Sequence, residues 1–434
     1  MATLKADRMA SSDLIHQALA LPDMAAQKHF LKEHAALLDD ECAETLKKQA
    51  DHFLRADVQR SLATAGLLLY QGELTGNPLH RALGLLAEAN ARSIALGEYQ
   101  QGLELYNEAA GIYEANGHVV RQARSQIGKL VSLARLGRYD EALEVGNWAS
   151  RVLEQHAQWR PLADLTLNLG FIRGRRGEDA ESLDLFDRAR ELYLRLGSEG
   201  DPFLPWIDQD RAIALRNLGR FEASIQASQR AREMLAQNGE VVEAARAQQN
   251  LAVTYFVLGR YNEALVHLDQ ARDVFVADGR QRDAILVDLF ISDCLLQLRR
   301  FRDVLEKCCQ IRDLFAELGT RFEVGQALLN EAVAYAGLQR CEEAIDSLLE
   351  ARRLFAQEGN RLWISCADLE MAALLLRQGF SDRSLETARA CAELYHAHGL
   401  PVREAQAHLI SARAMAALSQ RDQAHHLVSK TLAT

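Results

Sequence analysis

The chain of 434 residues holds few of the residue patterns that announce chemistry. Its seven cysteines, Cys42, Cys294, Cys308, Cys309, Cys341, Cys366 and Cys391, are odd in number and form no C-x-x-C pair. That argues against a disulfide framework and a thiolate metal site, and leaves buried thiols as the expectation. Thirteen histidines provide no i, i+4 pair: His396 and His398, and the adjacent His425 and His426, have the wrong spacing to share one helix face as ligands. The sequence has no G-x-x-x-x-G-K-[ST] phosphate loop, no strand followed by G-x-G-x-x-G, and no G-x-S-x-G elbow. Neither catalysis, a cofactor nor a metal is expected. A basic surplus is also missing: the net charge of −10 argues against a dedicated nucleic-acid or anionic-membrane surface. There is no long apolar run, and MATLKADRMASS lacks the hydrophobic segment of a secretion signal, so a cytosolic, membrane-free protein is expected. Six prolines leave no room for a long disordered linker.

What the sequence does contain is a period. LGRYDEAL starts at Leu136 and LGRYNEAL at Leu258. Taking the glycine of this phrase as an anchor, the equivalent positions are Gly97, Gly137, Gly177, Gly219, Gly259, Arg299, Gln339, Gly379 and Ser419. Each step is 40 residues except one of 42, and the two spare residues fall in GSEGDPFLPW, Gly197 to Trp206. A second glycine follows 20 residues later at Gly117, Gly197, Gly239, Gly279, Gly319, Gly359 and Gly399, with Ala157 as the one exception. Two turn marks per period define a two-element unit.

Apolar residues recur at three and four within each half-unit, so both elements are expected to be helices. Glycine suits the left-handed position that closes a helix. Pro78, Pro161, Pro202, Pro205 and Pro401 all fall at the start of a first helix, where a missing amide hydrogen matters least. Twelve residues after the anchor stands a small residue (Ala109, Ala149, Ala189, Ala231, Ala271), and four further on a large one (Tyr113, Leu153, Tyr193, Leu235, Phe275). That pairing is packing logic and assigns these aromatics to the core.

The unit resembles the tetratricopeptide repeat, most closely at Leu251-Ala252, Tyr255, Gly259, Tyr261, Ala264-x3-Leu268 and Ala271. The resemblance covers residues 79–434 and implies an all-α fold: a superhelical solenoid of about nine helical hairpins. The period of 40 exceeds the about 34 residues of that pattern, and the surplus is expected in a longer second helix. Residues 1–78 fall outside the period and read as three or four helices forming an N-terminal cap, Pro22 separating the first two. The lead HFLKEHAALLDDECAETLKKQA, followed by long arrays of 40-residue repeats, resembles the N-terminal half of bacterial proteins ending in a caspase-like CHAT peptidase domain. That resemblance implies a peptidase domain in cis or trans; the chain stops partway along the second helix of its ninth unit, as a natural cap or a fragment would.

In tetratricopeptide arrays the first helices line a concave wall. Carried over through the anchor, the row nine residues before it includes Asn168, Asp210, Asn250 and Asn330, resembling an asparagine ladder that bonds peptide backbone. The row six before includes Phe171, Ile213 and Val253, and Arg124, Arg135, Arg175 and Arg246 stand thirteen or two before an anchor, where they would favour acidic residues. The alternative for both rows is contact between adjacent repeats. The reading that emerges is a non-catalytic bacterial scaffold binding a protein or peptide segment in this groove. Its rivals are the sensor half of a longer CHAT-type peptidase and a peptide-sensing transcriptional regulator, although residues 1–78 show no recognition helix.

Overall fold

The structure is a computed structural model that describes residues 11–54, 56–317 and 320–433. Gly319, expected at a turn, lies outside the described residues. Among these residues every regular element is helical. Contacts divide the chain into two compact units, Met1–Ala227 and Ser228–Thr434.

The first unit contains α1 (Ser11–Leu19), α2 (Met24–Glu33), α3 (Asp40–Phe53) and α4 (Val58–Thr75), with Pro22 between the first two as expected. Leu14, Ile15, Leu31, Leu46, Leu67 and Leu68 form their shared core. Side chains of Asp23, Asp39 and Asp57 accept backbone N–H groups at the starts of α2, α3 and α4, satisfying donors that a helix start leaves open. There follow α5 (Pro78–Asn90), α6 (Tyr99–Ala115), α7 (Val119–Arg135), α8 (Tyr139–Gln155), α9 (Trp159–Arg175), α10 (Asp179–Arg195) and α11 (Leu204–Asn217). A widened π-helical turn, Ala91–Leu96, continues α5. The division between the units falls within α12 (Phe221–Gln237).

The second unit continues with α13 (Val241–Val257), α14 (Tyr261–Ala277), α15 (Gln281–Gln297), α16 (Phe301–Glu317), α17 (Arg321–Gly337) and α18 (Cys341–Gln357). It ends with α19 (Arg361–Arg377), α20 (Ser381–Ala397), α21 (Pro401–Ala417) and α22 (Arg421–Ala433).

The longer second helix expected from the sequence is absent from these hairpins: α7 and α8, like α13 and α14, are all 17 residues long. Three-residue turns separate them, so the extra length is shared equally. Most of the described turns between hairpin helices close in the same way, those at Gly97 and Gly197 excepted. Around Gly137, the Arg138 N–H donates to the Leu133 carbonyl at 2.9 Å and the Gly137 N–H to Ala134 at 3.1 Å, which satisfies carbonyls that the helix end would leave open. This requires a left-handed residue, and Gly137 has φ 74°. Where the sequence departs from glycine the backbone does not: Ala157, Arg299, Gln339 and Ser419 hold φ between 52° and 66°. Each tolerates a conformation that costs an ordinary residue roughly 1–2 kcal/mol.

The two spare residues form a pair of short 3-10 turns, Gly197–Glu199 and Asp201–Phe203, before a shortened α11 of 14 residues. Gly200 is obligatory there, since a Cβ would lie 1.9 Å from the Tyr193 carbonyl oxygen. The small and large positions are buried as expected, from Ala109 with Tyr113 to Ala271 with Phe275. Five cysteines are buried, Cys341 is half-buried and Cys309 exposed. Burial pushes the Cys294 and Cys308 thiols up to about 12, so they are protonated and unreactive at neutral pH.

A polar ladder that the sequence did not suggest stitches successive hairpins. An arginine thirteen residues after the anchor reaches the first helix of the next hairpin: Arg190 to Asp208 (3.2 Å) in the first unit, and Arg232 to Gln248 (3.2 Å), Arg272 to Asp288 (2.7 Å), Arg312 to Glu331 (3.1 Å) and Arg352 to Asp368 (2.8 Å) in the second. Asp208 is fully buried and also accepts from Arg211. A buried carboxylate held by two cations resists mispairing, because removing one partner strands a desolvated charge.

Candidate functional site

The first helices α7 and α9 of adjacent hairpins touch directly and leave between them a cleft of about 420 Å³. Its floor is Leu130, Val131 and Ile172, and its walls carry Arg135, Tyr139, Asn168, Phe171 and Arg175. A cleft this size falls within the range of small-ligand and side-chain pockets. Four residues singled out from the sequence therefore meet in one place: Asn168, Phe171, Arg135 and Arg175.

Phe171 is 45% exposed, although it is a large apolar residue. Its ring meets the buried Phe186 edge-on, with centroids 5.5 Å apart and planes at 78°. Phe186 in turn lies against Gly170, where a Cβ would stand 2.6 Å from the ring. The missing side chain thus seats Phe186, and Phe186 holds Phe171 at the mouth of the cleft. Asn168 donates from its side-chain amide to the Ile127 carbonyl of α7 at 3.2 Å. That bond spans the repeat interface and uses one of the two amide hydrogens. Arg135 and Arg175 are both exposed, and no carboxylate among the described residues pairs with either. Two guanidiniums without a carboxylate partner thus stand beside an apolar floor.

The other candidates are placed elsewhere. Arg124 lines a larger cleft of about 680 Å³, together with residues of α3. On α11, Ile213 is 36% exposed and Asp210 is half-buried, and neither lines these two clefts. Desolvation pushes the Asp210 carboxyl up to about 7. In the second unit, Asn330 spends its amide on Ser292 Oγ and Asp293 Oδ1, both at 2.8 Å. Arg246 pairs with Glu243 (3.6 Å) and Asp283 (3.4 Å). Asn250 and Val253 are half-buried on α13. Hence Asn330 and Arg246 already serve contacts within the array, whereas the α7/α9 cleft keeps charge and apolar surface open.

Sequence reasoning missed Tyr139 and the part played by α3. Tyr139 follows the LGR of the repeated phrase, so its register carried a signal. The α3 residues belong to no period and carried none. No group of three or more metal-ligating side chains occurs among the described residues, and no helix there is long and apolar enough to cross a membrane.

Residues 204–277 match the tetratricopeptide repeat family. No curated protein matches the chain in sequence. Among solved structures, aspartyl phosphate phosphatase F from Bacillus subtilis is similar at 13% identity over 80% of this chain and 92% of that one, with a TM-score of 0.57. Apo RapI is similar at 13% identity over 78% and 98% of the two chains, with a TM-score of 0.54. The apo form of the quorum sensor NprR from B. thuringiensis is similar at 14% identity over 80% and 97%, with a TM-score of 0.54. At such identities the likeness is one of fold. The fold is a tetratricopeptide-type solenoid of helical hairpins, as the repeat phrase implied.

Proposed function

We propose that this protein is a non-catalytic interaction scaffold that holds an extended peptide or protein segment in the cleft between α7 and α9, and that it does so in the cytosol. The observation that carries the reading is the grouping of exposed Phe171 with Arg135 and Arg175 around an apolar floor. An aliphatic or aromatic side chain of the segment fills the floor and packs on Phe171, while the guanidiniums donate paired, charge-assisted hydrogen bonds to its carboxylates. Asn168 orients backbone beside them. A second reading, a peptide-sensing regulator, is favoured by the fold shared with NprR, whose name is that of a quorum sensor. It uses the same cleft and differs only in what the bound state controls.

Selection from a displayed random-peptide library tests the reading. Enriched peptides are expected to bind the wild-type chain and to lose binding to Phe171→Asp, whose unchanged helicity is checked by circular dichroism. Enriched peptides that bind both chains equally would move recognition away from this cleft.

A further inference from the structure

The larger cleft shares both its long walls with the smaller one. Ile127 and Gly128 of α7 border it, one turn from Leu130 and Val131 of the α7/α9 cleft, and Asp164 of α9 borders it one turn from Asn168. The Asn168 to Ile127 hydrogen bond lies where the two meet. Its other walls are α3, which contributes Glu44, Lys47, Lys48 and Asp51, and α5 with α6, which contribute Leu83, Leu86, Tyr106 and Tyr113.

Charge in this cleft is unevenly settled. All four of its carboxylates face a cation within it: Glu44 faces Arg121 (3.9 Å), Asp51 faces Lys47 (2.5 Å), and both Asp164 (3.2 Å) and Glu199 (3.9 Å) face Arg160. Lys48 and Arg124 line the same cleft, are exposed, and pair with no carboxylate among the described residues. Leu86 and Ile127 line the same cleft and supply apolar surface.

Arg124 and Arg135 are eleven residues apart on α7, which returns them to nearly the same helix face about 16 Å apart. An extended peptide covers that span in about five residues. Resting on the proposed binding in the α7/α9 cleft, we infer that the cleft under α3 is a second, anion-accepting subsite for the same segment. The partner is a doubly acidic extended peptide: one carboxylate lies between Lys48 and Arg124, a second lies between Arg135 and Arg175 about five residues away, and an apolar side chain beside the second packs on Phe171. The N-terminal helices then form part of the recognition surface as well as closing the stack.

The test uses the full chain and synthetic eight-residue peptide pools labelled with fluorescein, read by fluorescence anisotropy. One pool carries Glu at positions 1 and 6 with Leu or Phe at position 5; others move the second Glu to position 3 or replace both by Gln. The 1,6 pool is expected to bind about tenfold more tightly than the Gln pool, with strong salt dependence, and Lys48→Glu with Arg124→Glu should remove about that factor. The same double change should leave the Gln pool untouched. Equal affinity for the 1,6, 1,3 and Gln pools, with binding still lost in Phe171→Asp, would overturn the acidic spacing and leave the α7/α9 cleft standing. No binding of any pool, or binding indifferent to Phe171→Asp, would overturn both readings.

Discussion

Tyr106 and Gly128 share one space. A Cβ at residue 128 would lie 2.3 Å from the Tyr106 hydroxyl oxygen and 2.6 Å from its ring carbon, and the buried hydroxyl donates to Asn90 Oδ1 at 2.7 Å. This explains why the row that carries Asn168, Asn250 and Asn330 carries glycine at 128: the place of the side chain is filled by a tyrosine from the preceding hairpin. Gly128→Ala is therefore expected to cost roughly 1–3 kcal/mol through overpacking. Gly111→Ala, whose added Cβ meets nothing within 4 Å, should instead stabilise by roughly 0.5–1 kcal/mol. Denaturant midpoints of the two variants check both signs.

The polar ladder predicts a steep loss when one rung is broken. Asp288 accepts from Arg272 at 2.7 Å and from Lys307 at 2.9 Å while almost wholly buried. Asp288→Ala removes the acceptor shared by the partly exposed Arg272 and Lys307 and should destabilise by about 1–3 kcal/mol. Because repeat arrays lose structure locally, hydrogen exchange in α14 to α16 is the appropriate reading, with faster exchange there than in α19 to α21.

Turns that lack glycine should gain from receiving it. Arg299 and Gln339 hold φ 55° and 63°, and the flanking hydrogen bonds match those around Gly137. Arg299→Gly and Gln339→Gly each relieve a left-handed penalty and should stabilise by about 0.5–1 kcal/mol after the added chain entropy is counted. A lower thermal midpoint in either variant would contradict the turn geometry.

Asp210 predicts a pH dependence. Its folded carboxyl titrates near 7, well above the ordinary 3.8, because of desolvation. A raised pKa means that the folded state holds the proton more tightly than the unfolded chain. Its contribution is complete below about pH 4 and is lost as pH rises through about 7. Asp210→Asn should therefore raise the thermal midpoint at pH 8 and leave it nearly unchanged at pH 4.

The fold was legible because a repeat writes the same rules several times over. Glycine at the turns, alanine opposite a large residue, and proline at helix starts all agreed, so Arg299 or Gln339 could not disturb the register. The candidate site was only partly legible. Register placed Asn168 and Asn330 in equivalent positions, yet Asn330 spends its amide on Ser292 and Asp293 while Asn168 borders an open cleft. That difference comes from which neighbours fill the space around each copy, which periodicity averages away. The contribution of α3 was invisible for the opposite reason, since it belongs to no repeat.

A segment held between α7 and α9, as proposed, would shield both helices from solvent. Hydrogen–deuterium exchange of the full chain, with and without a peptide selected by display, tests it most directly. Slower exchange is expected in residues 130–135 and 168–175 on binding, abolished by Phe171→Asp. Protection confined to the second helices of the hairpins, with α7 and α9 unchanged, would contradict it.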